Sequence, residues 1–313
     1  MKILGTGLDG LVGSRIIELL SDKYEFENLS ISTGVDVTDR NTVLKKVKDS
    51  NAQIVLHLAA KTDVDECEKD KSLGQQGDAW QINVLGTQNV ADACLVANKK
   101  LIYISTDFVF DGTPKSAYLA SEASTLAPAR GASTGQAKEY TESDLPNPIN
   151  WYGQTKYEGE KIVQNLKTPW IIARIASPYR AVFGRLDFAR AILKRLQEGK
   201  AVAAVTDHIF TPTFIDDIAF VLDIFISNSS QGIFHLVGSQ SLAPFDAANL
   251  IADEFNLDKS KINKTTRAKF FKDRAPRPFQ LVLINDKITK LGVRMSTFEE
   301  GLGEIKRQMD KLT

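Results

Sequence analysis

The chain has 313 residues, 43% hydrophobic and 25% charged, which is the composition of a globular chain long enough for one large domain or two fused ones. Its 39 Lys and Arg balance 39 Asp and Glu, which argues against a dedicated nucleic-acid or anionic-membrane binder. Cys67 and Cys94 are the only cysteines, so a disulfide framework is excluded, no metal site is expected, and a reducing, cytoplasmic setting suits the free thiols.

Along the chain, residues 2–5 read as a strand and 11–20 as a helix. Residues 29–32 are strand-like, 42–48 helical and 54–59 a buried strand. A helix at 80–97, a strand at 101–105, a helix at 152–166 and a strand at 170–174 follow. Strands apolar along their whole length and separated by helices predict a parallel sheet covered on both faces. Right-handed crossovers make it a doubly wound α/β sheet. Met1-Lys2-Ile3-Leu4 runs straight into glycines, too short for a signal-peptide core.

Past residue 175 the pattern loosens. Helices are expected at 188–196, 216–226, 243–255 and 297–310, with strands at 201–205 and 233–237. The apolar run 214–226 falls short of bilayer length and is broken by Asp216, Asp217 and Asp223. The expected division is a dinucleotide-binding domain of residues 1–175 plus 213–239, and a smaller α/β C-terminal domain of 176–212 plus 240–313. Of the 23 residues at 116–138, seven are Ala, four Ser, two Thr and two Gly, too small to anchor a core. That composition reads as a surface loop, either a lid or a tolerated insertion.

Gly5-Thr6-Gly7-Leu8-Asp9-Gly10-Leu11-Val12-Gly13 follows the first strand and opens the first helix. Two frames fit, G-x-G-x-x-G at Gly5, Gly7 and Gly10, or G-x-x-G-x-x-G at Gly7, Gly10 and Gly13. Either lets the backbone of Gly7, Gly10, Leu11 and Val12 approach a pyrophosphate at the positive helix end. The second strand is expected to present an acid to an NAD ribose or a base to an NADP phosphate. Here Ser32-Thr33-Gly34 offers neither. NAD(H) and NADP(H) both stay open, and the hydroxyls tip the expectation toward NADP(H). Asp36 and Val37 are expected near the adenine.

Tyr152 and Lys156 stand four residues apart, on one helix face. A nearby ammonium is expected to lower the pKa of a phenol, which is about 10 when free. Tyr157 and Lys161 share the spacing and read as a solvated flank. Only the first pair has company: the buried strand at 101–105 delivers Thr106 to the sheet edge where ligands sit. Its hydroxyl suits a carbonyl oxygen that Tyr152 then protonates.

At this point a resemblance appears. The glycine cluster, Ile54-Val55-Leu56-His57-Leu58-Ala59-Ala60, Asn83-Val84-Leu85-Gly86-Thr87 and the Tyr152/Lys156 pair resemble the extended short-chain dehydrogenase/reductases. Ser105-Thr106-Asp107-Phe108-Val109-Phe110-Asp111-Gly112 and Tyr152-Gly153-Gln154-Thr155-Lys156-Tyr157-Glu158-Gly159-Glu160 are similar to the dTDP-4-dehydrorhamnose reductase family. So are Arg277-Pro278, Leu281, Asn285, Leu291 and Phe298-Glu299-Glu300-Gly301-Leu302, and the likeness covers nearly the whole chain.

The resemblance implies a Rossmann domain with a substrate domain folded from the C-terminal segments, and NAD(P)H-dependent reduction of the C4 ketone of a nucleotide-linked deoxysugar, as in dTDP-rhamnose biosynthesis. Tyr152 would be the acid, Lys156 its pKa tuner and ribose ligand, and Thr106 the carbonyl orienter. Ala59, Ala60 and Lys61 would line the nicotinamide side. Thr62, Val64 and Asp65 would border the sugar, with Thr106 and Asp107 at the sheet edge, and Asp107, His57 and Asn83 would support the site. A homodimer is a family expectation.

There are departures. Phe108 stands where related 4,6-dehydratases have a carboxylate, which disfavours dehydration. Arg174-Ile175-Ala176-Ser177 ends in a small serine where an aromatic residue often faces the sugar. Between Lys261 and Arg277 seven bases face one acid, and Arg274 and Arg277 are the candidates for a diphosphate. The alternatives are a sugar-nucleotide epimerase and a non-catalytic NADP-binding regulatory subunit.

Overall fold

Strands and helices alternate from the first residue. The computed structural model describes residues 1–113 and 138–311, so the small-residue segment 116–138 lies outside the described residues except for Lys138. The elements begin β1 (Lys2–Thr6), α1 (Leu11–Leu20), β2 (Glu25–Leu29), α2 (Arg40–Asp49), β3 (Ile54–His57), α3 (Val64–Lys69) and α4 (Asp78–Trp80). Next come a π-helical turn (Gln81–Gly86), α5 (Thr87–Val96), β4 (Lys100–Thr106), β5 (Glu139–Tyr140), α6 (Trp151–Gln164), β6 (Trp170–Ile175) and β7 (Pro178–Tyr179). The rest are α7 (Phe188–Gln197), β8 (Val202–Val205), β9 (Thr213–Phe214), α8 (Ile215–Ser227), β10 (Gly232–Leu236), α9 (Pro244–Glu254), β11 (Ile262–Thr265), α10 (Arg267–Phe270), β12 (Val282–Leu283), α11 (Asp286–Thr289) and α12 (Phe298–Asp310).

Six strands form one sheet in the order β10-β6-β4-β3-β1-β2. The pairs β1–β2, β1–β3, β3–β4 and β4–β6 are parallel. The order therefore reverses beside β1, and the carboxyl ends of β1 and β3 flank the crevice where such sheets take ligands. Leu4, Val55, Leu101 and Ile172 from four strands bury themselves against Val43, Val47 and Val90 of the flanking helices. Each such side chain contributes about 1.5–3 kcal/mol relative to exposure.

One strand differs from expectation. The segment expected at 29–32 is β2 at Glu25–Leu29, and Ile31–Thr33 forms a 3₁₀ turn closed by Gly34 at φ +77°. As an edge strand, β2 shows alternating glutamates, with Glu25 paired to Lys2 at 3.0 Å, and an edge needs no continuous apolar run. The helix expected at 80–97 is interrupted by the π turn.

By contacts the described residues divide into two units. The first holds Met1–Val109, Pro146–Ile175 and Ile218–Phe234; the second takes the described parts of Phe110–Leu145, Ala176–Asp217 and His235–Thr313. The expected division kept 110–145 with the dinucleotide fold. Local pairing puts it elsewhere: β5 pairs in parallel with β12, and Phe110 stacks on Tyr140 at 4.3 Å. The Tyr140 hydroxyl donates to Asp111 at 2.6 Å.

Within the second unit, β8–β11 and β7–β9 form two more parallel pairs. Its centre is aromatic: Phe298 meets Tyr179 edge-on at 5.1 Å and stacks on Phe188 at 5.8 Å, beside Phe210 and Phe214. Gly301 admits Tyr179, since a Cβ there would stand 2.0 Å from the phenol oxygen. Thr297 and Glu300 close a capping box on α12. Among the described residues no helix is long and apolar enough to cross a membrane.

Candidate active site

The glycine turn comes first. Gly5 lies inside β1, paired with Asn28 and Leu56, and its missing side chain makes room for Leu8. The frame at Gly7, Gly10 and Gly13 is therefore the one that spans the turn. Gly7 takes φ +67°, and a Cβ there would lie 2.6 Å from the Ala59 nitrogen, so β1 and β3 close on each other at the crevice. A Cβ at Gly13 would lie 2.6 Å from the Leu8 Cα. Gly10 is the N-cap of α1; among the described residues no side chain caps it, and the first turn carries no acid. The helix end beginning at Leu11 and Val12 thus keeps its positive character toward the crevice. On these observations the turn fits a dinucleotide pyrophosphate.

The hydroxyls expected to favour a phosphate are committed within the protein. Ser32 Oγ donates to Asp9 Oδ2 at 2.6 Å, and Thr33 Oγ1 donates to the Asn28 carbonyl at 2.9 Å. Asp36 accepts from the Thr38 nitrogen at 2.9 Å, and Val37 is buried against Gly86.

At the carboxyl end of β4 the structure brings Thr106, Asp107, Tyr152 and Lys156 together in one buried group. Asn150 caps α6, accepting from the Gly153 nitrogen at 2.8 Å. Two glycines let α6 lie on β4. A Cβ at Gly153 would stand 2.1 Å from the Phe108 carbonyl oxygen, and one at Gly159 would stand 2.5 Å from the Tyr103 hydroxyl. Thr106 donates to Asp107 Oδ1 at 3.0 Å and accepts from the Phe108 nitrogen at 3.2 Å. Phe108 meets the Tyr152 ring edge-on at 5.8 Å.

The electrostatics differ from the sequence expectation. Burial raises the Tyr152 pKa above the ordinary phenol value; the Thr106 hydroxyl pulls the other way, and the charges of Asp107 and Cys67 add to the rise. Desolvation is the largest cause at both Tyr152 and Lys156. Burial lowers the Lys156 pKa to about 7, with Glu160 opposing. Its ammonium donates to the Ile104 carbonyl at 2.8 Å and lies 4.1 Å over the Tyr103 ring. Burial also raises Asp107 to about 7, and among the described residues its Oδ2 has no hydrogen-bond partner.

Around this group the supporting residues are polar and paired. His57 is fully buried and its pKa is lowered to about 3 by desolvation. Its Nδ1 meets Thr6 Oγ1 at 2.6 Å and its Nε2 meets Thr87 Oγ1 at 3.0 Å, the bonding of a core histidine. Asn83 donates to the Lys61 carbonyl at 3.1 Å and to Thr155 at 3.0 Å, tying the loop after β3 to α6. Ala59, Ala60 and Lys61 form that loop, and the Lys61 ammonium is held by Asp70 at 3.0 Å and Asp78 at 3.1 Å. Thr62 is exposed, while Val64 and Asp65 open α3, whose N-cap is Asp63.

Arg274 and Arg277 lie in the second unit, over Phe270 at 5.5 Å and Phe271 at 5.3 Å. Tyr157 and Lys161 sit at the helix surface with Glu158. Sequence reading missed the buried Glu160, which takes Arg174 at 2.9 and 2.7 Å and Ser105 at 2.6 Å. It also missed Asp9. A carboxylate inside a glycine turn was the available signal.

A doubly wound sheet with a glycine turn after its first strand and a Tyr-x-x-x-Lys helix laid on its fourth is the architecture of the extended short-chain dehydrogenase/reductases. Residues 1–311 match the family model described as the RmlD substrate binding domain, and the chain belongs to that family. It is 27% identical to a dTDP-4-dehydrorhamnose reductase of Aggregatibacter actinomycetemcomitans, over 97% of this chain and 98% of that protein. A Bacillus anthracis dTDP-4-dehydrorhamnose reductase crystallised with NADP superposes with a TM-score of 0.83 at 27% identity, covering 98% of this chain and 99% of that one. Methionine adenosyltransferase 2 subunit beta of Bos taurus is 28% identical over 97% of this chain and 86% of its own.

Proposed function

We propose that this chain reduces the C4 ketone of a nucleotide-linked deoxysugar with NAD(P)H, the activity for which its dTDP-4-dehydrorhamnose reductase relatives are named. The observation that carries the reading is the joint burial of Thr106, Tyr152 and Lys156 at the carboxyl edge of a parallel sheet. The backbone of Gly7, Gly10, Leu11 and Val12 would hold the pyrophosphate, with Ser32, Asp36 and Val37 on the adenosine side. Ala59, Ala60, Lys61 and the Lys156 ammonium would lie along the nicotinamide riboside. A reduced dinucleotide supplies the hydride.

The chain's own residues handle the proton. Thr106 orients the ketone oxygen. Tyr152, held protonated through neutral pH by its raised pKa, gives its phenolic proton to that oxygen as charge develops there. Thr62, Val64, Asp65, Asp107, Arg274 and Arg277 are the proposed sugar-nucleotide contacts. Phe108 beside Asp107 has no proton to exchange, which supports reduction over dehydration. A cytoplasmic homodimer belongs to the same reading and is tested by fractionation and sedimentation.

Purified protein is expected to oxidise NADH or NADPH when given a dTDP-4-keto-deoxysugar, followed by nicotinamide absorbance. Tyr152→Phe should cut kcat by about 10²–10⁴ and leave dinucleotide affinity unchanged. Wild-type turnover in that variant refutes the assigned acid. The similarity to a methionine adenosyltransferase subunit supports a second reading, a dinucleotide-binding regulatory subunit. Tight dinucleotide binding with no turnover on any keto sugar would favour it.

A further inference from the structure

The end of β2 is where a doubly wound sheet reads the 2′ position of the adenosine ribose, by an acid for NAD or a base for NADP. In this chain neither comes from the strand. Residues 30–39 contain no Lys or Arg, and Arg40 pairs with Asp92 at 3.2 Å. An acid arrives instead from the glycine turn. Asp9 reaches across to the end of β2, where Oδ1 accepts from Asn28 Nδ2 at 2.7 Å. Oδ2 accepts from Ser30 Oγ at 2.7 Å and Ser32 Oγ at 2.6 Å. These donors hold the carboxyl below its ordinary pKa, so it is ionised at neutral pH. A carboxylate offers about four acceptor sites, and these three bonds leave one on Oδ1.

We propose that Asp9, clamped to β2 by Asn28, Ser30 and Ser32, makes this protein select NAD(H) over NADP(H). The inference rests on the dinucleotide reading of the glycine turn and adds the ribose chemistry to it. The remaining acceptor site suits a ribose 2′-hydroxyl, which donates. A 2′-phosphate carries no donor when ionised and brings about −1.5 to −2 charges toward a fixed negative one. The Ser30 and Ser32 hydroxyls, which would otherwise donate to that phosphate, already spend their protons on Asp9. Repulsion of the wrong cofactor thus adds to attraction of the right one.

The test is equilibrium titration of the purified chain with NADH and with NADPH, read by nicotinamide fluorescence without any sugar substrate. NADH is expected to bind at least about tenfold more tightly than NADPH, about 1.4 kcal/mol. Asp9→Asn keeps a side-chain oxygen for the serine hydroxyls and removes the charge; it should bring the two Kd values within about threefold, chiefly by tightening NADPH. Ser32→Arg removes one of the three clamp donors, keeps the Asp9 carboxylate and puts a guanidinium beside the same ribose position. It should shift the ratio of the two Kd values toward NADPH, which keeps the question decidable if Asp9→Asn does not fold. Wild-type preference for NADPH, equal affinity for both, or an unchanged ratio in a folded Asp9→Asn overturns this inference alone. Failure to bind either dinucleotide overturns the glycine-turn reading beneath it as well.

Discussion

In the first unit, β1, β3, β4 and β6 run four to seven residues and are buried at nearly every position. In the second, two of the three strand pairs are two residues long, and rings fill the centre. Both units bury apolar surface, but one is organised by a backbone ladder and the other by side-chain packing. A ladder imposes a local period that a sequence displays. Ring stacking joins residues such as Tyr179 and Phe298, far apart in the chain, and leaves no local trace.

Removing an organising side chain in each unit tests that contrast. The largest loss is expected from Glu160→Ala, which removes the carboxylate paired with the Arg174 guanidinium, 1% exposed, inside the first unit. Breaking a buried ion pair from one side costs about 3–5 kcal/mol, read as a shift in urea midpoint. Next, Phe298→Ala should cost about 3 kcal/mol by emptying the aromatic centre of the second unit. A loss no greater than that of a surface substitution would break the claim that rings hold this unit.

Asp107→Asn comes third, and its sign depends on pH. The folded carboxyl titrates at about 7, above its ordinary value of 3.8. The folded chain therefore holds this proton more tightly than the unfolded one, and the contribution is lost as pH rises from 4 through 7. The asparagine variant should gain about 1 kcal/mol or more at pH 8, and the gain should fade toward pH 4. Equal effects at both pH values would show that this carboxyl is not desolvated. Smallest of all is Arg294→Ala, which removes a surface pair with Glu300 and should leave Tm within about 2 °C.

The same contrast explains what the sequence alone disclosed. Continuous apolar runs predict β1, β3, β4, β6 and β10, and Pro244 and Thr297 mark helix starts, so the doubly wound order is legible throughout. The edge strand β2 is not, because one exposed side lets glutamates alternate through it. The pairs β5–β12 and β7–β9 are too short to carry any period. At the site, the Tyr-x-x-x-Lys spacing fits Tyr157 and Lys161 as well, and it is the apolar strand ending at Thr106 that singles out Tyr152 and Lys156. Their electrostatics are hidden, because desolvation depends on how much chain covers a group. The Asp9 clamp is hidden for a related reason: its partners stand 19 to 23 residues away, and only the fold brings them together.

Gly153 and Gly159 give α6 its seat on β4 and make it a poor helix in isolation. Each glycine costs about 1 kcal/mol relative to alanine in a helix interior, and fourteen residues are marginal in water without such a handicap. The helix must then be wound by docking. A newly made or thermally opened chain carries the phenol and the amine but not the seat that buries them, so the buried group with Thr106 is completed only with the fold and is lost with the first event that lifts this one segment off its strand.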